Sequence, residues 1–336
     1  MPHDNPCAAA VESAARHPPF DAAGATWEIA NVPYHDLMAT RTVAFLGLGA
    51  IGRPMAARLA HAPDITLAVW NRTVERAHSF GREHGARVAT TPADAARGAD
   101  LVITCLPVSA DVVALLDGDA GLLATMTPGT ALVDCTSGDP ATSRRIAARL
   151  AERSIGFLDA PVSGGTSGAE QGILTVMVGG DEALLARVRP VLEAFGKKIV
   201  HCGPVGAGDA LKSVNNALLA VNVWSTGEGL AALAKAGVRP EVALDVINAS
   251  SGRSNASMNL FPERVLTRAF PRTFRVALLD KDVAIAAGVA REQKVPSPLL
   301  QLTAELFRMA HVELGEEADH VEAVKLIERW AGQEIA

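Results

Sequence analysis

Short apolar runs alternate with stretches of helical period from about position 42 to position 203. The segments TVAFL, ITLAVW, ADLVITCLP, TALVDCTS, GFLDAPVS, ILTVMVGG and KIVHCG are compact and mostly apolar, and read as buried strands. Between them RPMAARLAHA, ERAHSFGREHG, DVVALLDGDAGLLATM, DPATSRRIAARLAERS and DEALLARVRPVLEAFG carry helical period, and AEQG is a short element. Strand and helix in alternation predict an α/β architecture with a parallel, doubly wound sheet. Past Gly208 the strand pattern stops, and nearly everything to Ala336 reads as helix. The glycine-rich CGPVGAG marks the change. The chain therefore divides into a sheet domain over 41–205 and an all-α domain over 206–336, joined through a long helix. Residues 1–40 have no clear period and a proline-rich middle. They read as a disordered arm, or as sequence ahead of a true start at Met38, and lack the basic and apolar regions of a signal peptide.

The long helix begins near Asp209 and spans about 28 residues, roughly 42 Å at the standard rise. Between Leu211 and Ala236 its only charged residues are Lys212, Glu228 and Lys235. Lys212, Asn215 and Asn216 stand at i, i+3 and i+4 and so share a face. Burying an ammonium is costly unless it is paired or neutral. This face is either a satisfied structural network or a reaction site. Asp209 lies three residues before the lysine. After Gly206-Ala207-Gly208 it reads better as the helix N-cap than as an ion-pair partner of Lys212. Asn215, Asn216, Asn222, Gly227 and Glu228 interrupt the apolar character, so the helix reads as protein core and not as a membrane span.

GLGAIG places Gly47, Leu48, Gly49, Ala50, Ile51 and Gly52 between the first strand and the first helix. In that context the G-x-G-x-x-G spacing predicts a cradle for a dinucleotide pyrophosphate. The first glycine allows the turn, the second admits the phosphates, and the third lets helix and strand pack closely. The helix N-terminus supplies free N–H groups. The second strand ends in Asn71, Arg72 and Thr73, with no carboxylate where an NAD site expects one. Arg72 suits a 2′-phosphate, which predicts NADP as the preferred cofactor, with NAD possible.

The formal net charge of -6, a single tyrosine and the lack of a basic run argue against nucleic acid as a partner. The four cysteines have no C-x-x-C spacing and read as reduced thiols of a cytoplasmic protein, and no His/Cys cluster points to a metal.

Four blocks resemble the β-hydroxyacid dehydrogenase family, which contains 3-hydroxyisobutyrate dehydrogenase and tartronate semialdehyde reductase. They are FLGLGAIGRPMAARL, DAPVSGGTSGAEQGILTVMVGG, GAGDALKSVNNAL and LLDKDVAIA. INASSGR resembles the 3-hydroxyisobutyrate branch. Ile51 and Arg58 depart from the family's usual methionine and asparagine. The resemblance implies that Lys212 is the general acid/base and that Asn216 orients it and the substrate hydroxyl. It implies a carboxylate-binding turn at Ser163, Gly164 and Gly165. It further implies cofactor contacts at Cys105, Leu106 and Pro107, at Asp111, at Thr136 and Ser137, and at Lys281, with Asp282 orienting Lys281. Aspartate at 111 is another departure and also suits a helix cap. Arg253 faces either the substrate or a surface ion pair. The implied reaction interconverts a small 3-hydroxy acid, 3-hydroxyisobutyrate-like, and its semialdehyde. Tartronate, succinic and sulfonated semialdehydes are alternatives, as is a non-catalytic dinucleotide-binding protein, against which Lys212 argues. The implied partners are a small carboxylate substrate and other copies of the chain, as a homodimer or homotetramer.

Overall fold

The computed structural model describes residues 41–335; the arm expected over 1–40 lies outside the described residues. Nine strands form one sheet: β1 (Arg41–Leu46), β2 (Ile65–Trp70), β3 (Arg87–Val88), β4 (Leu101–Thr104), β5 (Ala131–Asp134), β6 (Gly156–Asp159), β7 (Val162–Ser163), β8 (Leu174–Gly180) and β9 (Gly196–Gly203). Their order is β3-β2-β1-β4-β5-β6-β8-β7, with β9 on β8. The winding reverses between β1 and β4, so a crevice opens beyond the carboxyl ends of those two strands.

The strands read as apolar runs because helices cover both faces of the sheet. Along β1, Val43 and Phe45 enter one apolar cluster while Ala44 and Leu46 enter the cluster on the opposite face. The covering helices are α1 (Gly52–Ala60), α2 (Val74–His84), α3 (Pro92–Ala96), α4 (Ser109–Leu116), α5 (Pro140–Ala151), α6 (Gly165–Gln171) and α7 (Glu182–Leu192). Asp139 caps α5 through its carboxylate, which accepts from Thr142 N, with Pro140 in the first turn.

The sheet is not wholly parallel. GFLDAPVS breaks at Ala160-Pro161 into β6 and β7, and β8 runs antiparallel to both. The segment returning from β7 to β8 is little more than the short α6, and a parallel crossover needs a dozen residues or more. β3, only two residues long, is below the length that periodicity detects.

The long helix is α8 (Ala207–Lys235), 29 residues. α9 (Pro240–Asn248), a π-helical segment Ala256–Val265 containing Pro262, α10 (Val276–Glu292), α11 (Pro298–Leu314) and α12 (Val324–Ala331) gather around it. Ala217, Ala220, Val223, Trp224 and Leu230 of α8 pack there with Phe261, Val283, Phe307 and Val324. By length and composition α8 is apolar enough to cross a membrane; in the fold, its inner face is the spine of this bundle. Its first turns also pack on β8 and β9, which brings Lys212 to the junction of the sheet and the bundle.

Candidate active site

The glycine cradle is built as its spacing requires. Gly47 has φ +108°, and a Cβ there would meet the Cys105 carbonyl oxygen at 2.2 Å. A Cβ on Gly52 would meet the Gly47 carbonyl oxygen at 2.0 Å. Gly49 differs: no protein atom lies within 4 Å of the Cβ position. The protein's own packing requires glycine at 47 and 52 but leaves open space at 49, on the turn that faces the crevice. α1 starts there with no side-chain cap and no acidic residue in its first turn. Unpaired N–H groups, a bare backbone and no competing carboxylate suit a pyrophosphate.

Asn71 is turned inward to this turn. Leu48 N donates to Asn71 Oδ1 at 2.9 Å, and Asn71 Nδ2 donates to the Thr73 carbonyl at 2.9 Å. Arg72, at the end of β2, is 83% exposed in its side chain and reaches Asp111 Oδ1 at 3.4 Å. Asp111 is not the cap of α4; the N-cap position is Val108, with no side-chain capping bond.

The loops beyond β4 and β5 are tied together. Leu106 N donates to Thr136 Oγ1 at 3.0 Å, and Asp139 N donates to Ser109 Oγ at 2.8 Å. Asp134 accepts from Thr104 Oγ1 at 2.8 Å and from Thr136 N at 3.0 Å. Thr136 is thus a buried brace, while Ser137 is partly exposed. Burial, aided by the charge of Asp134, pushes the Cys105 thiol up to about 12, so it stays protonated and inert.

Asp209 neither caps α8 nor pairs with Lys212. The N-cap of α8 is Gly206. The carboxylate that serves the helix start comes from the end of β6: Asp159 accepts from Gly206 N at 2.7 Å and Asp209 N at 3.0 Å. Asp209 points back to the sheet domain, accepting from Gly138 N at 3.0 Å and Ser143 Oγ at 2.6 Å. Sequence pattern weighed only neighbours along the chain, whereas these partners are brought in by the fold. The clue available in sequence was an acid closing an apolar strand, in GFLD and ALVD.

Lys212 lies one turn further on and is 8% exposed. Among the described residues it makes neither a hydrogen bond nor an ion pair. Burial lowers its pKa to about 8, against the opposing charge of Asp282; the nearby Lys281 lowers it further. Asn216, on the same face, donates through Nδ2 to Asp282 Oδ2 at 2.6 Å. Asn215 does not join them. It is exposed, and its amide only reaches Asn216 Oδ1 at 3.2 Å. Lys281 lies with Nζ 3.0 Å from Asp282 Oδ1 and donates to the carbonyls of Ser137 and, at 3.4 Å, Pro107. Lys212, Asn216, Lys281 and Asp282 thus form one cluster, and Lys281 joins it to the two loops at the crevice. Ser163 and Gly164–Gly165 form the turn into α6, with φ +135° at Gly164 and +66° at Gly165; α6 packs on α1 of the cradle. Arg253 is exposed and, among the described residues, has no ion-pair partner.

A buried amine grouped with an amide and a carboxylate, near a glycine turn after β1, is an arrangement that can support acid–base chemistry on a small molecule. Residues 42–203 match the model of the NAD binding domain of 6-phosphogluconate dehydrogenase. Residues 206–327 match that of the NAD-binding domain of NADP-dependent 3-hydroxyisobutyrate dehydrogenase. The chain is 37% identical to NAD-dependent L-serine dehydrogenase of Pseudomonas aeruginosa, over 87% of this chain and 100% of that one. It is 35% identical to 2-(hydroxymethyl)glutarate dehydrogenase of Eubacterium barkeri, over 88% and 97%. A solved 3-hydroxyisobutyrate dehydrogenase from Mycobacterium tuberculosis, with L-serine, superposes with a TM-score of 0.78 at 31% identity, covering 86% of this chain and 99% of that one. The chain belongs to the β-hydroxyacid dehydrogenase family, and is an NAD(P)-dependent oxidoreductase acting on CH–OH groups of hydroxy acids.

Proposed function

We propose that the protein interconverts a small 3-hydroxy acid, 3-hydroxyisobutyrate-like, and its semialdehyde, with Lys212 as the group that takes and returns the hydroxyl proton. The observation that carries this reading is a nearly buried amine without a hydrogen-bond or ion-pair partner among the described residues, its pKa lowered to about 8. An amine in that range is neutral often enough to accept a proton and charged often enough to give one back. Oxidised nicotinamide held at the glycine turn would supply the acceptor for the hydride that leaves the carbinol carbon. Lys212 Nζ takes the hydroxyl proton as the C=O bond forms; in reduction it returns that proton to the nascent alkoxide. Asn216, fixed by Asp282, orients the substrate hydroxyl towards the amine. Ser163, Gly164 and Gly165 receive the substrate carboxylate through backbone N–H groups and the serine hydroxyl, supported by the left-handed backbone of the turn.

For the cofactor, the reading is NADP in preference to NAD, held at Gly47–Gly52, Arg72, Thr73, Cys105–Pro107, Ser137 and Lys281. The support is Arg72, exposed at the end of β2 with no acid at 71 or 73. For assembly, the reading is a homodimer or homotetramer. Leu211 and Leu218 on α8 and Leu299, Leu302 and Val312 on α11 are exposed apolar residues that a second copy would cover.

The test is an activity screen of the purified protein against 3-hydroxyisobutyrate, L-serine, 2-(hydroxymethyl)glutarate and the semialdehydes of tartronate and succinate, with both cofactors. Turnover of none of them would remove the proposed substrate class.

A further inference from the structure

We infer that Asp111 is a second determinant of cofactor choice, acting through Arg72: its carboxylate holds the guanidinium and so weakens the grip on a 2′-phosphate. This rests on the reading of Arg72 as the group that binds that phosphate. The strand order β2-β1-β4 places the carboxyl end of β1, with its glycine turn, between those of β2 and β4. Arg72 follows β2, and Asp111 stands in the first turn of α4, after β4. The two side chains therefore meet across the mouth of the cradle, with Nη1 3.4 Å from Oδ1.

The two partners are unequal. Arg72 is 83% exposed and long, whereas Asp111 is 29% exposed and fixed in a helical turn, its N–H donating to the Val108 carbonyl. The exposed partner is thus held by the one fixed in the fold. A 2′-phosphate entering beside Arg72 must draw the guanidinium from this carboxylate, which costs the energy of the ion pair. NAD, with a plain 2′-hydroxyl, does not meet that cost. An aspartate at 111 therefore moves the protein from strict NADP use towards use of both cofactors.

The experiment uses the full chain as wild type, Asp111→Asn, Asp111→Ala, Arg72→Ala and the double variant Arg72→Ala/Asp111→Asn. Calorimetry gives the affinity for 2′,5′-ADP relative to 5′-AMP, and steady-state kinetics give kcat/KM with NADP+ relative to NAD+. An exposed ion pair is modest in strength, so both ratios are expected to rise about three- to fivefold in either Asp111 variant. In the Arg72→Ala background the same change should move them by less than about twofold, because the coupling runs through that pair. If Arg72→Ala lowers the ratios but neither Asp111 variant raises them, Asp111 has no such role and the Arg72 reading stands. If Arg72→Ala leaves them at the wild-type value, the Arg72 reading fails and takes this inference with it. An undiminished effect of Asp111→Asn without Arg72 also overturns it, since Asp111 would then act alone.

Discussion

Asn216 Nδ2 donates to Asp282 Oδ2 across 2.6 Å, and both side chains are almost fully buried. The bond pins α8 to α10 one turn beyond Lys212 and fixes which way the amide faces. Charge and amide arrive from different helices, so the environment of the lysine belongs to the junction and to neither helix alone.

Replacing Lys212 by methionine keeps the length and apolar stem of the side chain but removes the proton carrier. Turnover should fall by about 10²–10⁴, the usual span for a general acid/base. NADPH binding, followed by fluorescence, should stay within about twofold of wild type by the same argument. A variant that turns over normally removes Lys212 from the mechanism.

The pH profile of oxidation follows from the lysine. The neutral amine is the active form, so kcat/KM should climb with pH and level off above the midpoint near 8. The charge of Asp282 raises that midpoint. Asp282→Asn keeps an acceptor for Asn216 but removes the charge, so the profile should move to lower pH. A profile that stays in place, or moves up, contradicts the coupling.

The cradle glycines separate packing from ligand binding. Gly52→Ala drives a methyl to 2.0 Å from the Gly47 carbonyl oxygen and should destabilise the fold by about 2–3 kcal/mol. Gly49→Ala meets no protein atom within 4 Å, so its melting temperature without ligand should hold while dinucleotide affinity drops. Equal affinity in the Gly49 variant would place the pyrophosphate elsewhere.

Asp134 offers a test of the buried acids. Burial raises its pKa to about 6, above its ordinary 3.8. The native state therefore binds the proton more tightly than the unfolded state, and this contribution is fully present below pH 3.8. It is lost as pH rises through about 6. Asp134→Asn keeps an oxygen to accept from Thr104 and Thr136 and never ionises. It should gain stability relative to wild type at pH 8, on the order of 3 kcal/mol, and little at pH 4. Denaturant titrations at the two pH values decide it; a gain larger at pH 4 contradicts the sign.

Local pattern carried much of the fold. The alternation of apolar runs and helical stretches, the glycine spacing after TVAFL and the long apolar stretch around Lys212 need only period, length and backbone freedom, which neighbouring residues settle among themselves. The switch to helix after Gly208 was legible for the same reason. The antiparallel β8 was not, because strand direction depends on how the chain returns past Pro161 and α6. Nor were the partners of Asp209 and Asp111, nor the bond from Asn216 to Asp282. A carboxylate has the same sequence appearance whether it caps its own helix, joins a loop 71 residues away as Asp209 joins Gly138, or pairs with a guanidinium across a crevice. Sequence by itself thus determined most of the elements, the glycine turn and the identity of the buried amine. Only the tertiary structure decided which charges face one another, because electrostatics and hydrogen bonding act through distance in space, and packing sets that distance.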